Sequence, residues 1–173
     1  RYRYDIKRNA GVGLIGTCSL ADGYNNLLGG IDGNLRIGDS DRITAQVLTT
    51  QTEYPRQIQN DYRQPAGLRD NAYLLAYSHQ DQRWDWDLRY TDYGDDFRAD
   101  LGFINRVDYR QALIGGGHNW RFGPGSRFSR IRFGGDWDIT WDQSGRELEH
   151  EIEMGVNAEG PFQSFMFLGY GQR

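Results

Sequence analysis

From Arg83 to Tyr90 the chain reads Arg-Trp-Asp-Trp-Asp-Leu-Arg-Tyr, with a large apolar residue at every even position and a charge at every odd one. Successive side chains of a strand point to opposite faces, so this segment predicts a strand with one aromatic and one charged face. The split returns further on, where Ile131, Phe133, Trp137, Ile139 and Trp141 alternate with Arg130, Arg132, Asp136, Asp138 and Asp142. It predicts a sheet whose two sides meet different surroundings.

The same reading along the chain places strands near 2–20, 27–37, 43–54, 71–80, 83–92, 106–122, 127–142, 147–158 and 162–172. The connectors from Tyr54 to Asp70 and from Tyr93 to Asn105 are long and polar, whereas Gly38–Arg42, Asp81–Gln82 and Gly123–Ser126 are short. Long and short therefore alternate through the middle of the chain, as in outer-membrane barrels with short turns on one side and loops on the other.

Register can be tested on the pattern, because a slip of one residue turns every side chain to the other face. A two-residue turn at Asp81-Gln82 sets Trp84 opposite His79, Trp86 opposite Tyr77, Leu88 opposite Leu75 and Tyr90 opposite Tyr73, all on the apolar face. On the other face Asp85 then meets Ser78, with Arg89 near Leu74. A turn at Ser144-Gly145 sets Trp141 opposite Leu148, Ile139 opposite His150, Trp137 opposite Ile152 and Phe133 opposite Val156. Its charged face stacks Asp142 on Glu147, Thr140 on Glu149, Asp138 on Glu151 and Asp136 on Glu153. Carboxylates so placed repel, and one bulge near 111–113 would bring Arg106, Asp108 and Arg110 alongside to compensate them. Ser144-Gly-Arg-Glu147 also fits a helix capping box, with Leu148, Ile152 and Val156 on one helix face. The alternation from Glu147 to Asn157 is more complete and favours a strand.

Composition changes the picture in three places. Gly 23 and Tyr 11 against Pro 4 favour extended, aromatic-rich structure in 173 residues. A mean hydropathy of −0.77 does not exclude a membrane barrel, whose polar half cancels its apolar half. No apolar run of about 18 residues is present, which excludes a transmembrane helix. The missing initiator Met and leader suggest a processed chain or a piece of a longer one. Cys18 has no internal partner for a disulfide, and a net charge of −4 without a basic tract argues against nucleic acid.

Which face is wet decides function. In a soluble sandwich or lipocalin-like barrel the aromatic face is core, whereas in a membrane barrel it meets lipid and the charges line a lumen. Strands of about ten residues, alternating connectors, and Trp and Tyr suited to interfacial girdles favour the membrane.

The run Tyr93-Gly-Asp-Asp-Phe-Arg-Ala-Asp-Leu-Gly-Phe-Ile-Asn-Arg-Val-Asp-Tyr-Arg110 resembles the characteristic segment of an uncharacterised family of bacterial outer-membrane proteins. Gly29-Gly-Ile-Asp-Gly-Asn-Leu-Arg-Ile37 and Phe133-Gly-Gly-Asp-Trp137 resemble it too. Members carry an amino-terminal domain resembling carbohydrate-binding family nine, followed by a much longer β-barrel. The resemblance covers most of the chain and implies that it corresponds to part of such a barrel, with saccharides among the solutes to consider. The sugar-binding-like domain and many strands have no counterpart here, and Gly171-Gln-Arg173 replaces the terminal aromatic common in such barrels. The family transfers no catalytic residues.

Enzyme chemistry is poorly supported. Ser78 and His79 are adjacent in a strand, so they face opposite sides and form no nucleophile–base pair, with or without Asp81. His118 and His150 have no metal-ligand spacing. Asp92, Asp95, Asp96 and Asp100 cluster on a long loop without an EF-hand pattern, which reads as a solvated loop before a calcium site. Gly115-Gly-Gly117 lacks the Lys-Ser/Thr and strand-to-helix setting of a phosphate loop, and reads as a bulge or close backbone approach. No cofactor motif is read.

The expectation is therefore an antiparallel up-and-down transmembrane β-barrel of about nine strands here, a single domain or a segment of a larger barrel, in a bacterial outer membrane. The predicted lumen residues are Arg83, Asp85, Asp87, Arg89, Arg106, Asp108, Arg110, Arg130, Arg132, Asp136, Asp138, Asp142, Glu147, Glu149, Glu151 and Glu153. The predicted lipid-facing residues are Tyr73, Tyr77, Trp84, Trp86, Leu88, Tyr90, Phe133, Trp137, Ile139 and Trp141. Such charged ladders either select solutes in an open pore or fill and stabilise a narrow one. A soluble all-β ligand-binding domain is the runner-up.

Overall fold

The computed structural model describes residues 1–102 and 104–173. The alternation is realised as ten antiparallel strands: β1 (Tyr2–Lys7), β2 (Ala10–Ala21), β3 (Tyr24–Ile37), β4 (Asp41–Glu53), β5 (Gly67–Gln80), β6 (Trp84–Tyr93), β7 (Tyr109–Arg121), β8 (Arg130–Trp141), β9 (Glu147–Glu159) and β10 (Phe165–Gln172). A two-turn helix, α1 (Arg56–Tyr62), lies between β4 and β5. The strands form one sheet in chain order, and β1 and β10 are its open edges. The fold is thus all-β and antiparallel with an unclosed sheet, and there are ten strands where nine were expected. The extra one arises because 2–20 is broken by a turn at Arg8-Asn9, after which Lys7 pairs with Ala10.

The connectors sort by end. Those after β1, β3, β5, β7 and β9 are at one end, which holds the short turns expected at Gly38, Asp81 and Gly123. At the other end the Asp22-Gly23 turn, where Gly23 takes φ +67°, and the turn after β8 flank the two long connectors. Asp-Gly is favoured in such two-residue hairpins because the turn needs positive φ.

Pairing also climbs steadily across the sheet. A row of partners that leaves β3 at its last residue, Ile37, passes through Asp41, His79 and Trp86. Through Gly116, Gly135 and Met154 it reaches Tyr170, near the opposite end of β10. That diagonal is the stagger of strands tilted against the sheet axis, the geometry by which sheets curl toward closure.

The two faces differ as the pattern predicts. Trp84, Trp86, Leu88 and Tyr90 are 40–45% exposed on one face, while Asp85 and Asp87 on the other are half-buried. Among the described residues the buried apolar ones are only Leu28, Leu68, Ala72, Phe97, Ile139 and Ala158. The main cluster is formed by the β6–β7 connector, which folds onto the charged face: Phe97 is fully buried with Leu28 and Ala72, and Leu48 and Tyr93 pack around them. Burying a Phe side chain contributes about 1.5–3 kcal/mol.

Three local readings are corrected. The β5–β6 turn is displaced by one residue, to Gln82-Arg83: Asp81 N–H donates to the Trp84 carbonyl at 2.9 Å, and the Asp81 carboxylate accepts the backbone N–H of both Arg83 and Trp84 at 2.6 Å. Partners therefore move by two: His79 meets Trp86, Tyr77 meets Leu88, Leu75 meets Tyr90 and Asp87 meets Ser78. The bulge expected near 111–113 is absent, since β7 pairs without a break on both sides. One occurs instead at the β8–β9 hairpin, where Trp141 meets Glu147 in place of Leu148. The rest of that hairpin has the expected register from Thr140–Glu149 to Phe133–Val156. It is a strand, not the capped helix.

Candidate functional site

The charged face of β5–β10 borders a cavity of about 1000 Å³, with Ser78, Asp87, Asn119, Arg132, Asp136 and Asn157 among its walls. Six successive strands border one cavity because the sheet curls, so this is its inner face. Across it runs a row of glycines, Gly117–Gly134–Gly155–Gly169, one from each of β7 to β10. On Gly117 a Cβ would fall 2.6 Å from Arg132 Nη2, and on Gly134 it would fall 2.8 Å from Arg132 Cζ. On Gly155 it would lie 2.8 Å from the Phe167 ring. The glycines thus let Arg132 and Phe167 lie flat on the sheet.

Flat-lying Arg132 reaches over β7 to Asp85, donating from Nε at 3.2 Å and from Nη2. Asn119 Nδ2 donates to the same carboxylate at 3.1 Å, and its Oδ1 accepts two bonds from Arg130 at 2.9 and 2.7 Å. Arg130 continues to Glu159 at 3.3 Å. Toward the other end of the face stand the stacked carboxylates Asp136–Glu153 and Asp138–Glu151, then Thr140–Glu149. Cations meet this ladder at two points, Arg173 on Glu151 at 3.6 Å and Arg106 on Glu149 at 3.9 Å.

Of the residues read as inward, Asp85, Asp87, Arg89, Arg130, Arg132, Asp136, Asp138, Glu149, Glu151 and Glu153 share this face by register. Arg83 lies in the β5–β6 turn, where its carbonyl accepts Asn119 N–H at 2.7 Å. Arg106 and Asp108 lie in the β6–β7 connector, not on a strand, and Asp108 has φ +60°. Arg110 is on the opposite face: it pairs with Asp92 and Trp141 and donates to Gln143 Oε1 at 2.7 Å. Without the expected bulge, parity turns it outward. Asp142 is in the β8–β9 turn, where the Ser144 hydroxyl and the Arg146 N–H hold its carboxyl below the usual carboxylate range. Glu147 is displaced by the bulge.

Tyr73, Tyr77, Trp84, Trp86, Leu88, Tyr90, Phe133, Trp137, Ile139 and Trp141 all fall on the outer face. Trp84 and Trp86 stack at 5.4 Å, and His118 packs edge-on to Trp84 at 4.2 Å. His150 accepts a bond from Trp137 Nε1 at 2.7 Å. Ser78 is inward while His79 is outward, where it bonds Asp41 at 2.9 Å.

Of the aspartates read as a loop cluster, Asp92 lies on β6 and Asp95, Asp96 and Asp100 in the connector. Asp100 accepts from Tyr24 at 2.6 Å and Asp92 from Gln143 at 2.6 Å, and Asp96 N–H donates to Asp70 at 3.0 Å. Burial with Asp95 and Asp70 nearby raises the Asp96 carboxyl. Among the described residues no group of three or more His, Cys, Asp or Glu side chains is placed to hold a metal ion.

Alternation does not single out Asn119, Asn157, Phe167 or the glycine row beyond the close backbone approach read at Gly115–Gly117. Their one signal is the recurrence of Gly at inward positions, visible only once the register is known. No family model matches the chain, and neither a curated protein nor a solved structure does.

Proposed function

We propose that the chain is part of a transmembrane β-barrel of a bacterial outer membrane, with lipid on its outer face and an aqueous, solute-conducting lumen on its inner one. The observation that carries this is the pairing of a broad exposed apolar face with a charged, curled inner face on one meander sheet. An apolar face left in water would be a large aggregation-prone patch, whereas a lipid boundary covers it without a second protein layer. The diagonal stagger and the sorting of turns by end support the same reading, and the unpaired edges of β1 and β10 are where further strands would continue the barrel.

The function that follows is passive passage or surface handling of small polar solutes, with saccharides included on the family resemblance alone. No residue is assigned a catalytic role. The test is to express the protein in a bacterium and ask whether it fractionates with outer membranes, needs detergent to stay dispersed, and migrates differently on gels with and without heating. Membrane partitioning with heat-modifiable migration is expected. A monodisperse, detergent-free protein would overturn the proposal and favour a soluble ligand-binding β-domain.

A further inference from the structure

The inner face of β1–β4 carries a second recess, at the end opposite the buried connector. Its volume is about 740 Å³, and its walls include Arg3, Lys7, Arg8, Arg36 and Arg42 with Asp5 the one carboxylate. The chain as a whole is acidic, with a net charge of −4, so this concentration of cations is local.

Within the recess Asp5 neutralises only Arg3, which bonds it at 3.1 Å. Two neighbouring carboxylates are engaged elsewhere, Asp32 by Arg1 at 3.2 Å and Asp41 by Tyr77 and His79 at 2.6 and 2.9 Å. Lys7, Arg8, Arg36 and Arg42 form no salt bridge among the described residues. Arg36 and Arg42 are direct cross-strand partners, an arrangement of like charges that is destabilising unless an anion lies between them. The β1–β2 turn is fastened beside Arg36 as a continuation of the β2–β3 pairing: Arg36 N–H donates to the Asn9 carbonyl at 2.7 Å, and Asn9 Nδ2 donates to the Arg36 carbonyl at 3.1 Å. One backbone and one side-chain bond thus hold the turn that carries Arg8 next to Arg36.

We infer that this recess is a binding site for a phosphate- or sulfate-bearing solute, with Arg36 and Arg42 as its forked donors and Lys7 and Arg8 as rim charges. Arg36 and Arg42 are both exposed on the recess wall, and paired guanidiniums match the planar, multi-oxygen geometry of such oxyanions, which they bond as charge-assisted donors. The site needs neither an open lumen nor a complete barrel, so it stands or falls separately from solute passage.

The test is calorimetric titration of the full chain, folded in detergent micelles, with inorganic pyrophosphate, phosphate and sulfate at two salt concentrations. Saturable binding is expected, strongest for pyrophosphate, and weakened about tenfold or more in R36Q/R42Q. R56Q/R63Q, which removes the same charge from the α1 connector at the other end, should leave it unchanged. Without ligand R36Q/R42Q should melt no lower than the parent, since a repulsion has been removed, and pyrophosphate should raise the melting temperature of the parent alone. K7Q/R8Q, on an exposed turn, gives a second reading and should weaken binding in part. Absence of saturable binding, equal weakening by both double variants of the opposite ends, or full binding by R36Q/R42Q would each overturn the site.

Discussion

Arg132 and Asp85 form an ion pair across an intervening strand: one residue belongs to β8, the other to β6, and the guanidinium crosses β7 above Gly117. Its path exists only because Gly117 and Gly134 have no side chains. Gly117→Val should therefore displace the guanidinium and crowd the Phe133 carbonyl, which a Cβ at 117 would approach to 2.9 Å. A loss of about 1–3 kcal/mol is expected from overpacking. A double-mutant cycle with D85N and R132Q should give a coupling of about 1 kcal/mol, modest because both side chains keep some solvent. Denaturant unfolding in detergent measures both, and additive single variants would show that the pair is energetically idle.

The turns supply a pH dependence with a definite sign. The Asp81 carboxyl is held below its usual range by the N–H groups of Trp84 and Arg83, and Asp142 by Ser144 and the Arg146 N–H. A carboxylate whose folded value is depressed stabilises the fold above its unfolded value, about 4, and that contribution disappears as pH falls through the folded value. Both hairpins should accordingly loosen below about pH 4. D81N and D142N should melt lower than the parent at neutral pH and show a shallower acid limb. Hydrogen exchange at the Trp84 and Arg146 amides, followed against pH, checks it.

Phe97 is the anchor of the β6–β7 connector on the inner face. Asn26 holds the same segment, donating to the Arg98 carbonyl at 2.9 Å and accepting from Asp100 N–H at 3.3 Å, while Thr50 Oγ1 accepts from Arg98 N–H at 3.1 Å. F97A should cost about 3–5 kcal/mol and N26A less, and both should expose the connector to protease. If that face lines a lumen, releasing the connector should also enlarge the single-channel conductance. Unchanged proteolysis in F97A would show that the segment stays seated without its ring.

How far the alternation could reach is visible in these same residues. The β8–β9 register was legible because Gly145, at φ +91°, marks the turn and eight following residues keep period two. In the β5–β6 hairpin the faces were legible but the partners were not. A two-residue slip leaves every side chain on its face, and Asp81's hold on two amides, a contact no periodicity reports, decides where the turn falls. Arg110 was misplaced because parity does not carry through a fifteen-residue connector. Of the glycine row only Gly117 stands out, as a close backbone approach, since glycine has no side chain to assign to a face.

The outer face can be tested by charge. Leu88 sits between Tyr77 and Ile114 in the middle of the apolar band, whereas Ser78, on the neighbouring strand, faces inward beside Asp87. Near a bilayer midplane L88R should cost about 2–4 kcal/mol, while S78R should be nearly neutral. Folding yield into lipid vesicles separates the two, and equal yields would argue that the band does not meet lipid.

The acidic ladder makes the sharpest claim about solutes. At about 5 Å in a water-like medium each facing carboxylate pair costs about 1 kcal/mol, more where solvent is thinner, and Asp136 and Glu153 have no cation partner among the described residues. A repulsion kept in place on a strand pair raises the local cation concentration, so a lumen lined by it should prefer cations. D136N/D138N should lower that preference in planar-bilayer recordings, and adding E151Q and E153Q should lower it further while raising the melting temperature through relief of repulsion. R36Q/R42Q, which strips charge of the opposite sign from the same inner face, should move selectivity the other way. Reversal potentials unchanged in both directions would mean that neither cluster borders the conducting path, leaving the ladder as a feature of a filled interior.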